Sequence, residues 1–556
     1  MNFFYPLFVF LMFGHVIVCG QLQGFQKTFG GLSNDHGFDV ISTADGGYAL
    51  AGYSNSYTNG DYDALLIKLD SNGNQQWSRI YGGTGNDQAL QLVQTPDGGF
   101  ALAGKTTSYG SGNFDAMLIR TDPSGYLLWM KTYGGPQEER ILNIRQTSDQ
   151  GFIMAGSTQS FGQGNWDMLY IRTDSVGDTL WTKILGGPDY DQGTDADQTS
   201  DGGFVFLGRE TNGGSGFPDV CLIKTDADGN REWTLAYGGS YWDEGMKVKQ
   251  TFDEGFIVTG GSTSFTNISY DAFLTKIDPT GHINWSKLYS GLHNDATYDV
   301  IQLADSGYVI VGETESFGIN HLRNAGPDYF ASQNRSTFPN NVQGTDHSNV
   351  FAVRTTANGD TLWTRAYGGG SLDESYAVIQ TRDRGFMIVA YSSSYTNDSI
   401  DVYLIKTDSM GFSGCYEMPA GPDVLIPVVG VVNTNIKFIT GLSITNVSHA
   451  LINPLVAQHN ACLVFSVEEE PFIPVNTVTI YPNPADRFLT VRISSPVKYK
   501  IEAIKIFDMA EREILKTKVS SLGTGTNDEA TIDVSNLMSG VYFLQAGTAR
   551  KRFVKL

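Results

Sequence analysis

Between residues 87 and 106 the hydrophobic and polar positions fall into two runs. DQALQLVQ, 87–94, mixes apolar and polar residues, FALAGKT, 100–106, opens on five residues without a polar side chain, and Asp97-Gly98-Gly99 stands between them. Short runs of this composition bounded by turn residues predict strands, the second of them buried. Asp-Gly-Gly predicts a tight hairpin, because glycine accepts positive φ at no steric cost. A second pair, DAMLIRTD at 115–122 and YLLWMKTY at 126–133, flanks an Asp-x-x-Gly turn. No stretch from 25 to 414 sustains a helical period.

The same four runs keep returning. Trp77, Trp129, Trp181, Trp233 and Trp285 stand 52 residues apart, and Trp363 follows after 78, one period plus a 26-residue insertion. Counting 52 back from Trp77 reaches Phe25, and 52 forward from Trp363 reaches Cys415, so seven units fill residues 25–414. Four antiparallel strands repeated seven times predict an all-β fold, a seven-bladed β-propeller, with a solenoid as the alternative. FQKTFG, 25–30, matches the fourth strand of a unit but precedes the first complete set, and the last set, ending at Asp408, lacks a Trp strand of its own. The N-terminal strand is therefore expected to complete the last blade, which removes an open sheet edge.

Several polar positions keep their chemistry in all seven units. An Asp opens each D-x-G hairpin (Asp45 to Asp383), a cation sits on each third strand (Lys68 to Lys406), and an acid lies ten residues past each anchor (Asp35 to Asp373). Another Asp opens the third strand, replaced by Asn349 in unit six. A single site needs residues that differ around a ring, so these constant ones are read as scaffold, capping turns or pairing with the nearby cation.

Charge narrows the choice of partner. The chain holds 37 Lys and Arg against 59 Asp and Glu, a formal net charge of −22. Residues 471–556 contain 12 basic and 8 acidic residues, or +4, and the first twenty contain none, which leaves −26 on residues 21–470. Such a body repels nucleic acid and anionic membrane surfaces, and suits cations or basic partners better. Residues 1–20, MNFFYPLFVFLMFGHVIVCG, read as a secretory signal peptide, with Val18 and Gly20 placed for cleavage before Gln21. No later run is long and apolar enough to predict a spanning helix. Cys221, inside DVCLIKTD, reads as a small core residue. Cys415 and Cys462 bracket 46 residues just past the last repeat and are expected to pair. In an exported protein that disulfide would contribute about 4 kcal/mol on the chain-entropy account.

Topology says where a site belongs. In a four-stranded meander the links between units (YGG-x3-D) and the loops between second and third strands (TTSYGSGN in unit two) emerge on one face, and the tight turns on the other. Binding residues favour long loops on a rigid frame, and departures from the repeat cluster there. Unit four reads GRETNGGSGFP, which introduces Arg209 and Glu210. The links into units four and five carry Tyr190, Tyr241 and Trp242, and the insertion, 319–348, brings His321, Arg323, Asp328, Tyr329, Phe330 and His347. An asymmetric, aromatic-rich patch over blades four to six is the candidate ligand site. HExxH, GxSxG, a Walker loop and a zinc-type Cys/His cluster are absent, so no catalytic residue, metal ligand or cofactor is assigned. DADGN, 226–230, starts like a calcium loop but lacks the distal acid.

Residues 416–467 are apolar and rich in Val and Ile, and suggest extra strands packed on the propeller or a spacer; VEEEPFIPVN, 467–476, suits a linker. Beyond it, TVTIYPNPADRFLTVRI, IEAIKIFDMAEREI and ATIDVSNLMSGVYFLQAG alternate with short turns, as in a small Ig-like β-sandwich. YPNPA (481–485), Phe488 to Val491, DVSNLMSGVYFLQ (533–545) and terminal KRFVKL make residues 474–556 resemble the type A C-terminal sorting domain of the Bacteroidetes type 9 secretion system. On that resemblance Tyr481, Pro482, Asn483, Pro484, Gly540, Tyr542, Lys551, Phe553 and Lys555 belong to the sorting signal. The resemblance implies passage across the outer membrane and removal of this domain, the rest being released or attached to surface lipopolysaccharide. The repeats also resemble seven-bladed propeller repeats of such secreted proteins.

The domain plan is then 1–20 signal, 21–415 propeller, 416–470 spacer and linker, and 471–556 sorting domain. The functional expectation is a monomeric surface or secreted protein that binds a glycan or protein and meets the type 9 machinery through residues 471–556. A polysaccharide lyase or glycosidase, and a structural or adhesive component, are the alternatives.

Overall fold

In this computed structural model the described residues are 24–414, apart from 59–60, 212–216, 266–268, 319–347 and 397–398. Beyond 414 they are the strands between 417 and 463 and between 477 and 555, together with 534–537. All elements among them are β-strands.

Blade two shows the plan. Strands Asp87–Gln94, Phe100–Thr106, Asp115–Thr121 and Leu127–Gly134 pair in that order. Thr95 and Gly99 close the Asp-Gly-Gly hairpin, and Asp122 and Tyr126 close the second turn. Blade seven joins Asp373–Gln380, Phe386–Ser392 and Asp401–Thr407 to Phe25–Gly30, with Phe25 opposite Lys406. The first strand of every blade touches those of the blades before and after it, the seventh returning to the first, so the ring is closed. Seven hydrophobic clusters each span two consecutive blades. A blade therefore buries its apolar faces only against its neighbours, which is why the unit must repeat.

The constant residues sort by task. Trp77 of blade one lies under the turn of blade two, where Gly125 has φ 77° and an added Cβ would stand 2.6 Å from the indole. The Tyr81 hydroxyl donates to the Gly125 carbonyl at 2.6 Å, so Trp and glycine recur together because they are one interblade contact. Each third-strand cation pairs with the hairpin Asp of its own blade, from Lys68–Asp45 (2.8 Å) and Arg120–Asp97 (2.6 Å) to Lys406–Asp383 (2.7 Å). Each link acid caps its own link, as when Gly83 N donates to Asp87 at 2.8 Å and Ser108 Oγ donates at 2.6 Å. The Asp opening the third strand caps the loop before it in blades two and three, where Asp115 accepts from Ser111 N and Gly112 N and Asp167 from Gln163 N and Gly164 N. It faces the link acid of the next blade, carboxyl to carboxyl, and burial with the neighbouring charge pushes Asp63 (beside Asp87) and Asp219 (beside Asp243) up to about 7. Two acids at such range hold one proton between them.

Residues 417–463 wind back round the ring. Glu417–Pro419 pairs with the fourth strand of blade six, Asp423–Leu425 with blade five, Gly430–Val432 with blade four and Lys437–Ile439 with blade three. Ser443–Val447 continues on blade two, Leu451–Ile452 on blade one, and Ala457–Leu463 on the N-terminal strand in blade seven. Every blade thereby becomes five-stranded. The stretch expected as extra strands or a spacer covers all seven outer edges, which would otherwise present open backbone donors and acceptors.

The C-terminal unit forms a three-stranded sheet of Thr477–Tyr481, Phe488–Ser494 and Asn527–Asp533, and a four-stranded sheet of Glu513–Lys518, Ala503–Phe507, Gly540–Ala546 and Ala549–Lys555. Val491, Ile506, Ile532, Val534, Tyr542 and Leu544 are buried in it, as a two-sheet sandwich requires.

Candidate ligand site at the long-loop mouth

In every blade the first strand slips register near its start, between Gly37 and Asp39 in blade one and at the matching place in the other six. A bulge re-aims the extra side chain. The bulged residues differ round the ring: Phe38, Leu90, Leu142, Thr194, Met246, Tyr298 and Tyr376. Tyr298, Tyr376 and Phe38, from blades six, seven and one, pack in a row with centroids 4.9 and 4.7 Å apart.

One step along the strand, side chains cross between blades. Asp39 accepts from Leu92 N, Asp195 from Val248 N and Asp299 from Val378 N, each at 2.9 Å. Lys247 of blade five reaches Gln91 of blade two at 3.5 Å and lies 3.6 Å from Asp195. Polar side chains thus span the axis. Burial pushes the Asp39 carboxyl up to about 6, against the pull of Lys247.

On the long-loop side of this layer, one repeat position near the end of the second strand meets another near the start of the next blade's first strand. Three junctions are charged. Lys105 of blade two stands beside Arg140 of blade three, Arg209 of blade four pairs with Glu244 of blade five, and Glu313 of blade six stands against Glu374 of blade seven. The same places in the repeat hold two cations, a cation and an acid, and two acids.

Each junction has its own setting. Arg209 is sandwiched between Tyr190 and Trp242, 4.9 Å from each ring, while Tyr270 donates to Glu244 at 3.2 Å. Lys105 lies 4.4 Å from the Phe114 ring and Arg140 4.3 Å from Trp166. Burial, then Arg140 beside it, lowers Lys105 to about 8, and burial lowers Arg140 from its usual range. Glu374 accepts from Tyr391 and, at 3.0 Å, from Tyr376, and Glu313 accepts from Tyr298 at 2.6 Å. Burial, then the Glu313 charge, holds Glu374 well above the usual carboxylate range.

Arg209 and Glu210 were expected in a loop; both end the strand Phe204–Glu210, and each is 2% exposed. Glu210 takes the place from which Thr106 donates to Asp87 in blade two. Without that donor, burial and then Asp191 and Asp219 raise it to about 7. Tyr190 and Trp242 are half-buried walls of the Arg209 sandwich. Tyr241 stands outward, 56% exposed, its ring 5.8 Å from that of Phe217, itself 44% exposed. His321, Arg323, Asp328, Tyr329, Phe330 and His347 lie outside the described residues, as do Cys415, Pro482, Asn483 and Pro484; of Cys462 only the backbone is described. Cys221 is buried with a free thiol. Tyr481, Gly540, Tyr542, Lys551, Phe553 and Lys555 fall in strands of the C-terminal unit. Lys105, Arg140, Glu244, Glu313 and Glu374 escaped the sequence reading. Columns of the 52-residue repeat in which the charge changes sign would have revealed them.

Fold and mouth together define a seven-bladed β-propeller whose variable chemistry gathers at one end of its axis. Residues 479–555 match the family described as the secretion system C-terminal sorting domain. That part of the chain is a type 9 sorting domain, which implies a Bacteroidetes source and directs export to the cell surface or extracellular space. The chain is also similar to the regulatory protein FlaEY of Caulobacter vibrioides, 26% identical over 200 residues, which are 32% of this chain and 20% of that protein. It thus spans about a fifth of that relative's length.

Proposed function

We propose that this protein, once exported, is a binding protein whose long-loop mouth takes a glycan or protein partner. The observation that carries the reading is the division of labour within the repeat. The hairpin Asp and the link acid keep their chemistry in all seven blades and the Trp–Gly contact recurs in six, Phe25 taking the Trp's place against Gly73 in the seventh, whereas the mouth residues change from blade to blade. Variation held on a rigid frame is how propellers and other scaffolds house recognition. The exposed pair Phe217 and Tyr241, beside the half-buried Trp242, offers aromatic faces of the kind that anchor partners. The Caulobacter relative's description as regulatory is compatible with an interaction role.

The test is a glycan array and a surface-protein capture with the mature chain, repeated with Phe217→Ala/Tyr241→Ala and with Trp242→Ala. A loss of about tenfold or more in affinity is expected from the double variant; unchanged capture of every partner counts against the reading. Truncation after Glu470 tests the export route. It should leave the propeller in the periplasm, and normal display of the truncated chain would contradict a need for the sorting domain.

A further inference from the structure

We propose that Lys105 and Arg140, at the junction of blades two and three, form a receptor for the anionic group of an acidic sugar, a uronate carboxylate or an ester sulfate. This rests on the binding role given above to the mouth and specifies its chemistry.

The two cations are 7% and 4% exposed and repel one another. Removing like charges from water without a counter-charge is costly. Yet among the described residues no carboxylate lies within ion-pair range of either, and Nε and Nη2 of Arg140 have no hydrogen-bond partner. The junction of blades four and five shows what completes such a place. There Arg209 sits where blade two has Lys105, and Glu244 supplies the anion where blade three has Arg140. Arg140 occupies the carboxylate's position, and among the described residues the charge of Glu138 opposes the pair without forming an ion pair with either cation, which leaves room for an added anion.

The receptor is also built. Phe114 and Trp166 hold the two cations by cation–π contact, and the Tyr190 phenol lies beside Arg140. A guanidinium fork matches the paired oxygens of a carboxylate or sulfate. The acidity of the chain, −22 overall, weakens long-range attraction of polyanions, but at physiological salt that field fades within about 8 Å, and at contact the local pair decides. The exposed aromatic pair Phe217 and Tyr241 on the same face favours a sugar as bearer of the charge. A bound anion favours protonated Lys105, whose facing charged groups are Arg140 and, opposing it, Glu138. Affinity should therefore fall as pH rises through about 8.

The test is calorimetric titration of the mature full chain with a glucuronate disaccharide, a sulfated disaccharide, their neutral counterparts and a diglutamate peptide. At least one acidic sugar should bind about tenfold or more tightly than its neutral counterpart, with the stated pH dependence. Arg140→Gln and Lys105→Gln should each remove that preference while the melting temperature reports an intact ring; Lys105→Gln guards against misfolding of the first variant. Equal binding of neutral sugars, binding of the peptide in preference to both acidic sugars, or full acidic-sugar affinity in both variants would overturn the proposal. Binding of neutral glycans that depends on Tyr241 alone would leave the proposed function standing and sink only this assignment.

Discussion

The junctions of blades two and three and of blades six and seven are the same place in the repeat with opposite chemistry. At one, Lys105 and Arg140 are buried together; at the other, Glu313 and Glu374 are. Both break the rule that a buried charge needs an opposite partner, and they escape differently. Two carboxyls can keep one proton between them, and the Tyr298, Tyr376 and Tyr391 hydroxyls satisfy the remaining lone pairs. Arg140 has no such exit, because a guanidinium does not give up its proton in proteins. An acid pair can complete itself, whereas a pair containing arginine needs an anion. Arg209–Glu244 is the neutral reference between them.

Four substitutions press on this comparison. Arg209→Ala should have the largest effect, about 3–5 kcal/mol of lost stability by denaturant unfolding, since Glu244 loses its only ion-pair partner among the described residues inside an aromatic cage. A loss no larger than that of an exposed pair would mean that water already serves Glu244.

Glu313→Arg should turn the acid junction into a copy of the blade four and five pair. Glu374 has its folded pKa raised, so its contribution is full below the unfolded value and is lost as pH rises through the folded one. The variant should therefore gain about 1.5–3 kcal/mol over the parent near pH 8 and little near pH 5. Equal destabilisation at both pH values would show that space, not charge, governs the site.

Asp63→Asn should contribute less, about 0.5–1.5 kcal/mol in its favour above pH 7. The amide donates permanently to Asp87, whereas the parent loses the shared proton as pH rises through about 7. A melting curve whose pH dependence is unchanged would deny the shared proton. The smallest effect, below about 1 kcal/mol, belongs to Asp97→Asn, because Asp97 meets Arg120 on the exposed turn face with 58% of its side chain in water.

The architecture was largely legible. The Trp period, the strand runs and the phase of Phe25–Gly30 give seven blades, closure through the N-terminal strand and the face that carries the long loops. They do so because a repeat states the same local rule seven times. The mouth was legible only in part. Tyr190, Arg209 and Trp242 stood out as departures from the repeat and do meet, but as a buried sandwich. Lys105, Arg140, Glu313 and Glu374 lie inside strands, where each is a polar residue in a short run that stands out only when the seven units are compared column by column.

By itself the sequence determined which residues make strands, how many blades close the ring, and that the C-terminal unit is a sorting sandwich, because periodicity and turn chemistry act within a few residues. Only the tertiary structure decided which charges of the mouth face one another, since those pairs join residues 35 or more apart across blades. It also decided that residues 417–463 supply a fifth strand to every blade, because strands of two to seven residues take their register from the edge they cover.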